Sequence, residues 1–226
     1  MRDDIYKIFR HENKVVVLSY DIDPLDPRGH WDQSGILWCW HRNYNKLGDP
    51  DTVKRFNTRF DKDLFDPSKH ESWGAIADAL YKEHKAVTVR SVFLLDHSGL
   101  RLSLSDFRDR WDSGQVGLIW YPREGLNALG YKRATKRAIE KADEVLESEI
   151  KVQDHYISGA VFGWQLYENV NLNEDRLSRL TPSESCWGYY GYDEEKAMLE
   201  AALGSSEAAK SAEELPERDA RELAAA

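Results

Sequence analysis

Apolar residues along the chain recur with two different periods, and the periods assign elements. Lys14-Val15-Val16-Val17-Leu18-Ser19-Tyr20 is a β-branched run bounded by polar residues, the pattern of a strand buried on both faces. Ala86 to Leu95 is the most strand-like run. Arg101 to Ser105, where Leu102 and Leu104 alternate with polar residues, pairs with it as a hairpin around Ser98-Gly99. Ile36 to His41 and Ile157 to Tyr167 are further strands, the second carrying Gly159 and Gly163 for a bulge or a close backbone approach. Trp73, Ile76, Ala77 and Leu80 have the spacing of one buried helical face and predict a helix over Lys69 to Lys85. Ile139, Ala142, Leu146 and Ile150 predict a longer one, from about Asn127 or Thr135 to Lys151, and a short helix follows over Glu194 to Leu203. Asp51 to Asp66 reads as an irregular or partly helical crossover anchored by Phe56, Phe60 and Phe65. Ser183 to Tyr192 reads as an aromatic, glycine-rich loop.

Two stretches repeat one order of chemistry. Trp31-Asp32-Gln33-Ser34-Gly35-Ile36-Leu37-Trp38 and Trp111-Asp112-Ser113-Gly114-Gln115-Val116-Gly117-Leu118-Ile119-Trp120 each place Trp-Asp before a Ser-Gly turn and a strand that ends in tryptophan. The elements together predict an α+β fold, a mostly antiparallel sheet of about five to seven strands with two or three helices packed on one side. Residues 1–203 are expected to form a single domain. From Gly204 onward alanine and charge without apolar periodicity predict a flexible, acidic tail over residues 204–226.

Composition narrows the function classes. A hydrophobic fraction of 41% with eight tryptophans calls for a packed interior or a binding surface. The net charge of -9 argues against attraction to a nucleic-acid backbone and leaves a carboxylate-rich face for a basic protein partner. With no long apolar run and no signal peptide pattern after Met1-Arg2-Asp3-Asp4, the expectation is a cytoplasmic protein with no membrane segment. Cys39 and Cys186 sit beside tryptophans outside any metal spacing and are expected as free thiols. Asp21-Ile22-Asp23-Pro24-Leu25-Asp26-Pro27 lacks the glycine and distal glutamate of a calcium loop and reads as a solvated turn. The long helix has its charges reversed. Lys132, Arg133, Lys136, Arg137 and Lys141 crowd its first half, and Asp143, Glu144, Glu147 and Glu149 its second, against a helix dipole worth about 0.3–1 kcal/mol per exposed terminal charge. Either these are solvated faces, or the basic end faces an anion.

The two Trp-Asp stretches, with Cys39-Trp40-His41-Arg42-Asn43-Tyr44, Leu47-Gly48-Asp49, Leu95-Asp96-His97-Ser98-Gly99 and Ser185-Cys186-Trp187-Gly188, make the region from Val15 to Leu203 resemble a family of uncharacterised proteins encoded by phages and mobile elements. The chain departs from that pattern at Gln33-Ser34-Gly35-Ile36, where an Asn-Leu-Gly-Thr type turn is usual, and at Asp109-Arg110, where a Cys-Pro pair is usual. The resemblance implies a mobile-element context and little chemistry; together with the negative charge it supports the expectation of an accessory protein that acts inside a host cell on a host or defence protein.

Candidate chemistry falls at strand ends. Asp112, His97, Asp96 and Cys186 are the candidate catalytic residues, and Trp31, Asp32, His41, Trp111, Ser113, Gln115 and Trp187 the candidate binding residues. Asp96, His97 and Ser98 are consecutive, so they do not all point into one pocket, and no nucleophile elbow supports Ser98 or Ser113. Cys186 with His97 or His41 is an alternative nucleophile pair. Asp32, Asp96, His97 and Asp112 suit a divalent ion, but no spacing fixes a metal. Neither a Walker loop nor G-x-G-x-x-G is present, and no cofactor is assigned. A purely local alternative has each aspartate cap its own Ser-Gly turn with the tryptophan packed beneath. The functional expectation is a binding protein for a host or defence component. The alternative is a small hydrolase or metal-dependent enzyme built on the Asp/His cluster.

Overall fold

The structure is a computed structural model that describes residues 4–41, 43–44, 47–49 and 72–225. In chain order run β1 (Ile5–His11), β2 (Lys14–Tyr20), α1 (Pro27–His30), β3 (Ile36–Cys39), α2 (Trp73–Lys82), β4 (Ala86–Asp96), β5 (Leu100–Ser103), β6 (Ser113–Pro122), α3 (Lys136–Ile157), β7 (Val161–Tyr167), β8 (Glu184–Tyr190), α4 (Glu195–Leu203), α5 (Ser206–Ser211), β9 (Glu213–Glu214) and α6 (Glu217–Ala224). The fold is α+β, with antiparallel strands in two sheets of order β8-β7-β2-β1-β9 and β3-β6-β4-β5. The crossover expected over Asp51 to Asp66 lies outside the described residues.

The chain forms two compact units where the sequence suggested one domain: a terminal unit, Met1–Leu25 with Gly159–Ala226, and a central unit, Asp26–Ser158. In the central unit consecutive residues of β6 alternate between two cores. Ile119 and Tyr121 pack with Ala142, Leu146 and Ile150 of α3, while Leu118 and Trp120 pack with Ile76 and Leu80 of α2. The sheet therefore carries helices on both faces rather than on one. Its continuous apolar strands are what two covered faces require.

The terminal unit follows the same rule. Val16 and Leu18 of β2 meet Met198, Leu199 and Ala202 of α4, and Val15 and Val17 meet Ala220, Leu223 and Ala224 of α6. The segment expected as a flexible tail thus supplies α5, β9 and α6, and Leu223 is 1% exposed. Ala220, Leu223 and Ala224 stand at i, i+3 and i+4, a stripe made mostly of alanine that carries little hydrophobic signal although it packs well. Ser183 to Tyr192 is likewise mostly strand, because β8 pairs with β7 from Glu184↔Leu166 to Tyr190↔Val161. No helix among the described residues is long and apolar enough to cross a membrane.

Candidate functional site

Topology decides which candidate residues meet. The two Trp-Asp stretches feed β3 and β6, which pair antiparallel with Ile36 opposite Trp120 and Cys39 opposite Gly117. The turn before β3 and the turn before β6 therefore lie at opposite ends of the strand pair. Trp31 and Asp32 stay at one end, where Trp31 closes α1 through its amide bond to the Pro27 carbonyl and Asp32 is exposed. Trp111, Asp112, Ser113 and Gln115 are at the other, beside the residues that leave β3: Trp40 donates its amide to the Val116 carbonyl at 2.7 Å, and His41 follows it.

The β4–β5 hairpin brings the third component. Ser98 at φ 57° and Gly99 at φ 143° make its turn, and the Asp96 amide donates to the Asp112 carbonyl at 2.8 Å, which fixes the end of β4 against the start of β6. Arg101 of β5 grips Asp154 of α3 with two nitrogens, Nε to Oδ1 at 2.9 Å and Nη2 to Oδ2 at 2.8 Å. The Leu102 amide adds a third bond to the same carboxylate at 2.7 Å. The hairpin is thus anchored to a long helix.

A cleft of about 290 Å³ opens at this end of the sheet, lined by His41, Asp96, Trp111, Asp112, Ser113 and Gln115 among others. Its polar side chains are held by neighbours. The Tyr44 hydroxyl donates to Asp96 Oδ2 at 2.7 Å, a bond that raises the phenol pKa above its ordinary value. The Tyr44 ring stacks on His41 with centroids 4.9 Å apart. His97 Nδ1 lies 2.7 Å from Asp112 Oδ2 on the rim. The Ser113 hydroxyl donates to the Asp109 carbonyl at 2.6 Å, and Gln115 Nε2 donates to the Gly117 carbonyl at 3.2 Å. Trp111 is 87% exposed, with the Arg110 guanidinium 5.9 Å from its ring centroid.

Neither Trp-Asp turn is capped by its own aspartate. Asp109 Oδ1 accepts the Trp111 and Asp112 amides, each at 2.8 Å, and these bonds, that of Asp112 first, hold its carboxyl below the ordinary aspartate value. At the other turn Glu149 Oε1, from α3, accepts the Ser34 amide at 2.8 Å and the Gly35 amide at 3.1 Å. No tryptophan packs beneath the second turn, since Trp111 stands in solvent. Asp112 is consequently left to His97 and the cleft.

The first turn belongs to a buried ion network that sequence motifs did not reveal. Arg28, its side chain fully enclosed, donates to the Gly35 carbonyl at 3.1 Å, to Asp49 Oδ1 at 3.3 Å and to Glu149 Oε2 at 3.1 Å. Asp49 Oδ2 in turn accepts the Leu37 amide at 3.0 Å. The one available signal was the acidic second half of the helix. Glu149, Asp154 and Asp143, the last accepting the Thr88 hydroxyl at 2.7 Å, are fasteners between α3 and the rest of the unit.

Cys186 and Trp187 belong to the terminal unit, on β8. Cys186 is exposed, and the Trp187 indole covers Gly163 on β7, where a β-carbon would fall 2.2 Å from Trp187 Cε3. Among the described residues no group of three or more His, Cys, Asp or Glu side chains is placed to hold a metal ion. Comparison with protein-family models, with curated proteins and with solved structures gives no match in any of the three.

Proposed function

We propose that this is a binding protein that takes hold of a partner protein through the cleft at the end of the central sheet. One observation carries the reading: Asp96, Asp112, His41, Ser113 and Gln115 surround a concave site with their polar groups oriented by neighbours, beside an indole that is 87% exposed. A rigid aromatic with convergent polar groups and little rotamer entropy to lose is the composition of a recognition site. The resemblance to phage and mobile-element proteins favours a host or defence protein as the partner, met inside the host cell.

Immobilised protein is expected to capture the same partner repeatedly from host extract. Capture should fail for Trp111→Ala and Asp96→Asn and persist for Asp32→Asn, whose side chain lies outside the cleft. Equal capture by all four proteins would reject the cleft as the contact.

The His97–Asp112 contact of 2.7 Å favours a second reading, a small hydrolase in which Asp112 orients His97 as a base. Against it, the Ser113 proton is committed to a backbone carbonyl, and no described serine bonds to His97. Turnover of an activated ester that disappears in His97→Ala, with first-order dependence on protein, would put this reading ahead.

A further inference from the structure

We infer that the group this cleft receives is a guanidinium, an arginine side chain of the partner; the inference rests on the binding reading above and deepens it. Hydrogen-bond polarity carries the choice. Asp96 and Asp112 each commit Oδ2, to the Tyr44 hydroxyl and to His97 Nδ1, and each retains Oδ1 with no described donor. The single proton of Ser113 goes to the Asp109 carbonyl, so its oxygen faces the cleft as an acceptor. Gln115 engages its amide nitrogen with the Gly117 carbonyl, which leaves Oε1 as acceptor. His41 Nδ1 accepts the Asn43 amide at 3.2 Å, so a neutral ring carries its proton on Nε2 and adds one donor. The wall is therefore rich in acceptors, two of them anionic, and among the described residues that line it there is no lysine or arginine.

A complementary ligand is cationic, rich in donors and free of acceptors. Phosphate or carboxylate meets two carboxylates, and a sugar hydroxyl that donates also presents lone pairs to a wall of lone pairs. Guanidinium has five N–H groups in a plane and no acceptor, and it stacks on indole. An ammonium has three donors on a compact, strongly hydrated centre and does not lie flat on a ring. The chain already sets one guanidinium, that of Arg110, against Trp111, and at 87% exposure most of the indole surface stays open to a second.

The test uses the full chain with ¹⁵N-labelled tryptophan and follows the Trp111 indole resonance, assigned by its loss in Trp111→Ala. N-acetyl-arginine amide is expected to shift it saturably, with a dissociation constant of about a millimolar for so small a probe. N-acetyl-citrulline amide, with a neutral urea of nearly the same shape, and N-acetyl-lysine amide are each expected to bind at least about tenfold more weakly. Asp96→Asn, at an exposed position, and Asp112→Asn, at a partly exposed one, should each weaken the arginine probe by about tenfold while circular dichroism and melting stay unchanged. Free arginine separates the sources. Binding no tighter than that of the capped probe supports a side chain of a protein, whereas much tighter binding overturns that source in favour of a free guanidino compound.

No saturable shift with the arginine probe, or equal binding of the citrulline probe, overturns the inference. Partner capture that Asp96→Asn abolishes in a protein that ignores the arginine probe rejects guanidinium and keeps the binding reading. Arginine binding without any effect of the cleft variants on capture does the reverse.

Discussion

At the scale of single residues, the two cysteines make opposite cases of one chemistry. Burial pushes the Cys39 thiol up to about 12, with the nearby Arg28 charge only partly offsetting it, whereas Cys186 stands exposed on β8. Because the thiolate is the nucleophile, a native chain at mildly alkaline pH should take up a single equivalent of iodoacetamide, at Cys186, and a second only after denaturation; mass spectrometry of the digested adduct reads which. Rapid native labelling of Cys39 would contradict the packing around β3 and β6. Asp109 gives a pH prediction of definite sign. Its folded carboxyl lies below the ordinary aspartate value, so the cap it provides is present above that value and is lost as pH falls through the lowered one. The Trp111 backbone amide is expected to titrate with a midpoint below the ordinary aspartate range, and Asp109→Ala should remove the titration. Residue types were legible in the sequence here and roles were not: the Trp-Asp pairs pointed at Asp32 and Asp112 as turn caps, but the caps are Glu149 and Asp109. One of these comes from a distant helix, which no local pattern reports.

At the scale of elements, α3 explains its own unfavourable charge order. Asp143, Glu149 and Asp154 take hydrogen bonds from Thr88, from Arg28 with the Ser34 and Gly35 amides, and from Arg101 with the Leu102 amide. Asp143 and Glu149 lie away from the ends of α3, where the dipole is felt little, and Asp154 in the last turn offsets its dipole cost through its bonds from Arg101 and the Leu102 amide. Arg28 is the most demanding of these contacts. Arg28→Met leaves Asp49 and Glu149 facing each other without their cation, and is expected to cost about 3–5 kcal/mol in denaturant unfolding. Arg28→Lys should recover little, since one ammonium does not span three acceptors on separate segments. A loss below about 1 kcal/mol for Arg28→Met would mean that the network is not buried as described. Gly117 is a second dependence. A β-carbon there would lie 2.1 Å from the Trp38 carbonyl oxygen, so Gly117→Ala should force β3 away from β6 and cost about 1–3 kcal/mol. The strands themselves were readable from period and β-branching. The pairing of β3 with β6 was not, and that pairing turns an apparent duplicated motif into one cleft edge and one remote turn.

At the scale of the whole molecule, the division into two units and the ordered C-terminal segment share one physical origin. Both sheets are apolar on two faces, so each needs covering on two sides. In the terminal unit the second face, with Ile5, Ile8, Val15, Val17 and Tyr167, is covered in part by Ala220, Leu223 and Ala224. Composition hid this, because alanine is small and charge dominates the segment, whereas the β-branched run in β2 announced a strand that must be buried on both sides and so implied a cover somewhere in the chain. Removing residues 205–226 is expected to expose Val15 and Val17, lower the melting temperature and increase binding of a hydrophobic dye. Hydrogen exchange at amides of β1, β2 and β7 should lose protection along with it. A flexible tail predicts no change in any of these measurements. Because truncation also removes charge and the β9 pairing with β1, Leu223→Ala isolates the packing contribution: a fully buried leucine truncated on a sheet face costs about 2–5 kcal/mol, depending on how far the neighbours close the space. Glu222→Ala, at an exposed position on the same helix, should change stability by no more than about 0.5 kcal/mol. If the two substitutions behaved alike, α6 would be a helix that does not cover the sheet, and the second face of β2 would need another cover.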